Sequence, residues 1–360
     1  MAVHFHPLKV ERVERDTQDS VIVSFEVPEA LRPVFQFTQG QNITLRAVIA
    51  GESIRRSYSI CTAPFDGPLS VAIKKAGGGA FSTYANEILA KGDVIEVLPP
   101  TGSFYTKLAA AQKKCYLAIA VGSGITPIIS LIKTTLAVEK LSDFTLVYGN
   151  RTRSSIMFLE QLEGLKNKYP ARFNLVHVIS REQTDAPINK GRIDTSKLDE
   201  LSRVLKYEQF DETFICGPQE LVFLTKEYLE KKGLQPGKIH FELFTTPGQT
   251  TAPQSMKQEQ NLTKAGDTSQ VTIKLDGHSF QFDLPLIGDS ILDGALKLGA
   301  DLPFACKGGV CSTCRAKLLE GEVKMDSNYA LEDEEVRNGF ILTCQSHPLT
   351  KQVTLDFDTR

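Results

Sequence analysis

Long apolar runs are missing from this sequence. The run "CYLAIAV" (115–121) is among the longest, and it is far too short to cross a bilayer. No block rich in Lys and Arg appears and the net charge is −2, which gives no general attraction to nucleic acid. The opening stretch is mixed polar and charged, without the apolar core of a secretory signal. The seven cysteines are odd in number and crowded toward one end, unlike a secreted disulfide framework, so a reducing cytoplasm is the expected setting. No internal repeat is evident.

At 360 residues the chain is long enough for two or three domains, each with its own core. The clearest seam is 245–270, "TTPGQTTAPQSMKQEQNLTKAGDTSQ", rich in Thr, Gln, Pro and Gly and read as a linker. Charge changes sign across it, from 30 basic and 27 acidic residues before to 9 and 14 after.

Before residue 110 the pattern is one of strands. "VIVSFEV" (21–27) puts Val21, Val23, Phe25 and Val27 on one face, with Ser24 and Glu26 opposite. "NITLRAVI", "LSVAIKK" and "DVIEVLPP" follow between Gly, Pro and Asp punctuation, which predicts an antiparallel barrel or sandwich. From 111 to 244 strands and helices alternate, as in a doubly wound parallel sheet whose ligands sit beyond the carboxyl ends of its strands. Helices are expected near 126–138, 155–168, 195–205 and 218–232, the second carrying a stripe of Ile156, Leu159, Leu162 and Leu165. Residues 271–360 predict a small α+β unit. A hairpin turns at Asp276-Gly277, and Asp289 opens a short helix.

Three of the seven cysteines stand in "ACKGGVCSTC" (305–314). Cys306, Cys311 and Cys314 have the spacing C-x4-C-x2-C, and Cys344 follows later, which is the plant-type [2Fe–2S] arrangement. Two irons need four thiolates. Gly308 and Gly309 let the backbone wrap the cluster and aim N–H groups at sulfur. The competing readings are a zinc site or idle buried thiols; zinc sites usually pair two C-x2-C knuckles and only one is present. With the flanking "PFACKGGVCSTCRAKLLEGEV…LTCQ", the segment resembles plant-type ferredoxins and looks like one complete β-grasp domain.

The upstream motifs are weaker singly. In "RRSYSI" (55–60), Arg56 and Tyr58 share one face of a strand, a guanidinium for phosphate and a ring for a flat cofactor. "AGGGAFSTY" (76–84) is a Gly-rich turn running into a helix, suited to phosphate; a flexible hairpin tip explains it equally. "AVGSGITP" (120–127) follows an apolar strand and opens a helix. It lacks the third glycine of the Rossmann fingerprint, and Pro127 fits the helix's first turn. No nucleophile–base pair is needed by this pattern, and none of the six histidines falls in these motifs.

Taken in order with "YGNRT" (148–152) and "CGP" (216–218), these motifs resemble the ferredoxin–NADP reductase family through residues 1–244. The resemblance implies a barrel holding FAD and an α/β domain holding the nicotinamide nucleotide. Arg56 would then pair with the FAD pyrophosphate, Tyr58 pack on the isoalloxazine and Ser59 hydrogen-bond near its N5. Gly79, Phe81 and Ser82 would offer backbone groups to the pyrophosphate. Gly122, Gly124 and Thr126 would line the nucleotide diphosphate, and Cys216, with Gly217 and Pro218, would sit beside the nicotinamide. Cys216 is otherwise a buried strand-end thiol. "VISREQ" (178–183) resembles the Ser-Arg pair for a 2′-phosphate, so Ser180 and Arg181 favour NADPH over NADH; no acidic residue but Glu182 stands after that strand to grip a ribose 2′-OH.

The whole chain thus resembles the reductase components of bacterial multicomponent oxygenases. That likeness implies electrons passing from NADPH through FAD and a [2Fe–2S] cluster to a separate, multisubunit di-iron oxygenase. The same motifs would serve a Rieske oxygenase, a steroid hydroxylase or a desaturase, and a redox sensor without turnover is the remaining alternative. The acidic run "LEDEE" (331–335) is either a steering patch for the acceptor or a solvated turn. Phe244 either covers a cofactor or belongs to the core.

Overall fold

Alternating apolar residues build the first sheet. In a computed structural model, which describes residues 4–244 and 268–359, six antiparallel strands run in the order β4-β3-β6-β1-β2-β5. They are β1 (His6–Thr17), β2 (Ser20–Glu26), β3 (Asn42–Ile49), β4 (Glu52–Ser59), β5 (Leu69–Lys74) and, after helix α1 (Ala80–Glu87), β6 (Val94–Val97). A bridge between Ile60, just beyond β4, and Val71 on β5 brings the two edges together, so the sheet closes as a barrel. Val21, Val23, Phe25, Ile43, Leu45, Val71 and Ile73 fill it, with Phe81 and Ala85 of α1. Each such fully buried aliphatic or aromatic side chain contributes roughly 1.5–3 kcal/mol.

Ser24 departs from the expected pattern, being wholly buried rather than on a polar outer face. It stands opposite Ser70 on β5, whose hydroxyl donates to the Ser24 hydroxyl at 2.9 Å. The cause is a second layer. Cys61 and Ala72 of the barrel lie in the core of the following α/β half, and Ile22 packs against it, so β2 and β5 are covered on both faces.

That half is a five-stranded parallel sheet in the order β11-β10-β7-β8-β9. Its elements are β7 (Cys115–Val121), α2 (Ile125–Val138), β8 (Asp143–Asn150), α3 (Leu159–Lys168), β9 (Phe173–Ile179), α4 (Thr195–Leu201), β10 (Glu212–Gly217), α5 (Gln219–Lys231) and β11 (Ile239–Leu243). β7 is buried along almost its whole length, as parallel strands covered on both sides are. The expected three-residue stripe on α3 is broken, because Ile156 precedes the helix in extended backbone and the helix starts only at Leu159. A buried carboxylate steadies the passage between barrel and parallel sheet. Glu139 accepts the Tyr116 hydroxyl (2.9 Å), the Ser142 hydroxyl (2.7 Å) and the Ala109 N–H (3.1 Å).

The described chain divides into two compact units: residues 7–54 and 58–244, with most of the barrel and the whole parallel sheet, form one, and the C-terminal sheet, grouped with residues 4–6 and 55–57, forms the other. The Thr/Gln/Pro-rich stretch lies outside the described residues as far as 267, and β12 (Thr268–Leu275) begins immediately after. The others are β13 (His278–Pro285), α6 (Ile291–Lys297), β14 (Arg315–Glu320), β15 (Val323–Met325), α7 (Asp333–Arg337), β16 (Phe340–Leu342), β17 (Ser346–Pro348) and β18 (Gln352–Asp356). Five strands pair as β13-β12-β18-β14-β16, with β12 and β18 parallel and α6 packed on the sheet, a β-grasp arrangement. Asp276 (φ 55°) and Gly277 (φ 71°) form the hairpin turn as predicted. Ser290, rather than Asp289, caps α6, its hydroxyl accepting the Asp293 N–H at 3.1 Å. Among the described residues no helix is long and apolar enough to cross a membrane.

Asp16 on β1 fastens the barrel to α3. Both carboxylate oxygens accept the N–H of Phe158 (3.1 and 3.2 Å), and the Ser20 hydroxyl donates at 3.3 Å. Phe158 holds φ 59°, a left-handed conformation costly for a bulky residue. Burial raises the Asp16 carboxyl above its ordinary value of 3.8. The folded state therefore binds this proton more tightly, and the group's contribution to stability falls as pH rises from that value through the raised one. Asp16→Ala strands the Phe158 N–H and is expected to cost about 1–3 kcal/mol. Asp16→Asn keeps an acceptor and should cost less, with a deficit that shrinks as pH rises through the same window. Denaturant unfolding across a pH series measures both.

Candidate redox sites

The C-terminal unit gathers four thiols. Cys306, Cys311 and Cys314 lie on the loop between α6 and β14, and Cys344 follows β16. Lys307 (φ 51°), Gly309 (φ 73°) and Ser312 (φ 50°) are all left-handed, and this curls the loop so that its N–H groups turn inward. The Gly308 N–H donates to Cys306 Sγ at 3.3 Å. The Gly309 N–H faces the Cys344 thiol, and the Thr313 N–H and hydroxyl face Cys311. A Cβ on Gly309 would stand 2.8 Å from the Ser327 carbonyl oxygen, so glycine is required there by space as well as by φ.

The thiols fall into two pairs. Cys306 with Cys311, and Cys314 with Cys344, interact closely enough that Cys306 and Cys314 are held well above the usual thiol range and their partners below it. Among the described residues no three His, Cys, Asp or Glu side chains converge as ligands of a single ion. Two pairs of thiols ringed by inward N–H groups fit a two-iron cluster with two thiolates per iron.

In the barrel, Arg56, Tyr58 and Ser59 stand on β4. Arg56 Nη1 donates to the Arg55 carbonyl at 2.7 Å. Tyr58 is half-buried against Phe81, ring centroids 5.7 Å apart. Phe81 is fully buried in the barrel core, so only its backbone N–H is available to a ligand. Gly79 precedes α1 with no side chain capping the first turn, which leaves an anion-binding helix start. Ser82 holds the glycine loop: its hydroxyl accepts the Ala76 N–H (3.1 Å) and donates to the Gly79 carbonyl (3.0 Å). This arrangement fits a dinucleotide phosphate beside an aromatic platform.

At the carboxyl end of the parallel sheet, Gly122 (φ 57°) and Gly124 form one turn between β7 and α2, and Thr126 is buried in the first turn of α2. A Cβ on Gly124 would lie 2.1 Å from the Cys216 carbonyl oxygen, so the turn presses directly on the end of β10. The Gly122 carbonyl accepts the Tyr148 hydroxyl at 2.9 Å. Gly217 closes β10 and Pro218 precedes α5. Cys216 is wholly buried, and burial pushes its thiol well above the ordinary value, so it stays protonated. Ser180 and Arg181 follow β9, with the Ser180 hydroxyl donating to the Asn150 carbonyl at 3.3 Å and Arg181 exposed. Glu182 is turned away, accepting the Arg153 N–H at 2.9 Å. Phe244 is half-buried against the core of this half.

Glu242 is the residue that sequence reading passed over. It pairs in register with Cys216, and its carboxylate accepts the buried Ser59 hydroxyl at 3.0 Å, 183 residues away in sequence. A single carboxylate in the apolar strand end "FELF", at the edge of a parallel sheet where ligands bind, was the available signal.

A flavin pocket in a barrel, a nucleotide edge on a parallel sheet and a four-thiol loop in a β-grasp unit define a flavin iron–sulfur oxidoreductase driven by NAD(P)H. The chain belongs to the family of reductase components of oxygenases. It matches an oxidoreductase FAD-binding domain over residues 7–105, an oxidoreductase NAD-binding domain over 118–227 and a 2Fe-2S iron-sulfur cluster binding domain over 273–349. It is 43% identical to a subunit of the 1,2-phenylacetyl-CoA epoxidase of Escherichia coli (strain K12), covering 99% of this chain and 98% of that protein. It is 32% identical to the ferredoxin reductase component of 3-ketosteroid-9-alpha-monooxygenase of Rhodococcus rhodochrous, covering 97% and 96%. Phthalate dioxygenase reductase shares the fold, with a TM-score of 0.58 at 23% identity over 98% of each chain.

The close approach at Gly124 gives a direct test. Gly124→Ala forces this turn off β10 and is expected to weaken binding of the nicotinamide nucleotide about tenfold or more, a loss of roughly 1.4 kcal/mol at least. Titration of the flavin-loaded protein with NAD+ and with NADP+ by difference absorbance reads it.

Proposed function

We propose that this chain takes electrons from NADPH and delivers them to a separate multisubunit di-iron oxygenase acting on phenylacetyl-CoA, in the cytoplasm. The observation that carries this reading is the 43% identity to the phenylacetyl-CoA epoxidase component, sustained over 99% of the chain, against 32% to the ketosteroid reductase. The domains divide as 1–110, 111–244, 245–270 and 271–360. When bound, FAD accepts a hydride as an electron pair and the [2Fe–2S] cluster hands electrons on singly.

The chain's own groups set the stage for that chemistry. Arg56 pairs with the FAD pyrophosphate, Gly79, Phe81 and Ser82 offer it backbone donors, and Tyr58 packs on the isoalloxazine. Ser59 would hydrogen-bond near the flavin N5 as an acceptor, its own proton being given to Glu242, which fixes its rotamer. Gly122, Gly124 and Thr126 carry the nucleotide diphosphate, and Cys216, Gly217 and Pro218 form the nicotinamide wall. Cys306, Cys311, Cys314 and Cys344 ligate the irons.

NADPH is favoured over NADH by the groups at the ends of β8 and β9. Arg181 is exposed beside Ser180, with Arg151 and Arg153 on the facing loop. The only acidic candidate for a ribose 2′-OH among 178–183, Glu182, is already engaged by the Arg153 N–H. A guanidinium bound to phosphate contributes roughly 1.5–3 kcal/mol. Arg181→Gln should therefore cut the NADPH-over-NADH ratio of kcat/KM by about tenfold or more; an unchanged ratio would remove Arg181 from nucleotide selection.

The acceptor is tested by NADPH oxidation with purified phenylacetyl-CoA oxygenase subunits, with and without phenylacetyl-CoA. Turnover that depends on the substrate and is matched by epoxide is the expected result. Rapid cytochrome c reduction without such coupling would leave a working reductase with a different oxygenase. Absence of both would leave the sensor reading.

A further inference from the structure

We infer that Gln345 is a positioning residue for the iron–sulfur centre, a clasp that holds the three-cysteine loop against the fourth ligand. The inference rests on the four-thiol loop carrying a [2Fe–2S] cluster. The Gln345 amide Nε2 donates to the Lys307 carbonyl at 2.9 Å and to the Cys344 carbonyl at 3.0 Å, and lies 3.8 Å from Cys344 Sγ. A primary amide has two N–H donors, and here they serve two acceptors on different segments. One acceptor follows Cys306 in the loop; the other belongs to Cys344 itself, after β16. One side chain thus bridges the two stretches that supply the ligands.

The bridge sits at a strained point of the loop. Lys307 is left-handed without being glycine, and its carbonyl is the one Gln345 holds. The stem of Gln345 also passes beneath Gly309, since a Cβ on that glycine would stand 3.1 Å from Gln345 Cγ. Gly309 is the residue whose N–H faces the Cys344 thiol. Gln345 is itself rooted: its N–H donates to the Leu342 carbonyl (2.9 Å), and its carbonyl accepts the Asp326 N–H (2.8 Å). Lys307 is anchored at its far end as well, with Nζ 2.7 Å from Asp293 on α6 and 5.0 Å from the Phe304 ring centroid. Removing the amide frees the Lys307 carbonyl, relaxes the turn under Gly309 and lets the cysteine loop move away from Cys344.

The test uses the full-length holoprotein. Gln345→Met keeps the length and the apolar stem but deletes both donors, and Gln345→Glu keeps the shape while pointing an acceptor at two carbonyls. Loss of the cluster's visible absorbance is followed under an iron chelator. The reduced EPR spectrum and the midpoint potential are recorded in parallel. Both variants are expected to lose the cluster about tenfold faster than the native protein, in keeping with the effect of outer-shell groups on metal retention. Their g-values should shift and their midpoints fall, with Glu the more affected. A variant that takes up FAD but assembles no cluster supports the same conclusion. Native decay rates and native g-values in both variants would overturn the role of Gln345 while leaving the cluster in place. A native protein with no [2Fe–2S] EPR signal on reduction would instead remove the reading on which the role rests.

Discussion

Gly124 and the end of β10 approach so closely that a single methyl group would stand 2.1 Å from the Cys216 carbonyl oxygen. Much else follows from that contact. It seats the β7–α2 turn across the carboxyl edge of the sheet, where a parallel sheet presents its ligands. It fixes Cys216 in the interior, and Cys216 fixes its register neighbour Glu242 on β11. Glu242 then receives the Ser59 hydroxyl from the barrel, so the residue expected nearest the flavin is oriented by a carboxylate on the nucleotide side. A backbone contact that tolerates no side chain therefore organises both halves of the first unit around one edge.

The second constraint is that the barrel is not free on its outer side. Ile22, Cys61 and Ala72 share a core with α2 and β8, and Asp16 reaches across to the start of α3. Period-two patterning identified the strands correctly because their inner faces are apolar. It misjudged Ser24, since a hydroxyl is compatible with either solvent or a buried partner, and only the β2–β5 register supplies Ser70 as that partner. The break before α3 was hidden for a similar reason. Ile156 fits a helical stripe, but the turn at Phe158 is set by Asp16, 142 residues away.

The sites were legible to different depths. The four cysteines could be read outright, because two irons demand that many thiolates at a spacing few other functions need. The flavin and nucleotide motifs gained meaning from their order, each being ambiguous alone. What stayed hidden were the supporting side chains. Glu242 and Gln345 carry no motif of their own; each matters through a partner that folding brings close, Ser59 from the barrel and Lys307 from across the cluster loop. Phe81, expected to serve through its backbone, sends its ring into the barrel core, so its side chain speaks for packing and not for a ligand.

A protein that moves electrons has reason to keep stray protons out of the path, and the interior is built accordingly. Burial pushes the Cys61 thiol up to about 12 and raises Cys216 well above its ordinary value; Tyr148 is raised by the same cause. These groups stay neutral across physiological pH and add no titrating charge to the interior. Glu139, wholly buried, accepts two hydroxyls and a backbone N–H, and the half-buried Glu242 accepts Ser59. Exposed charge, by contrast, stands at Arg181 after β9 and along Glu332–Glu334 on the β-grasp unit. Thiols and phenols that stay neutral inside leave long-range attraction to the charges on the surface, where a field can act on an approaching molecule.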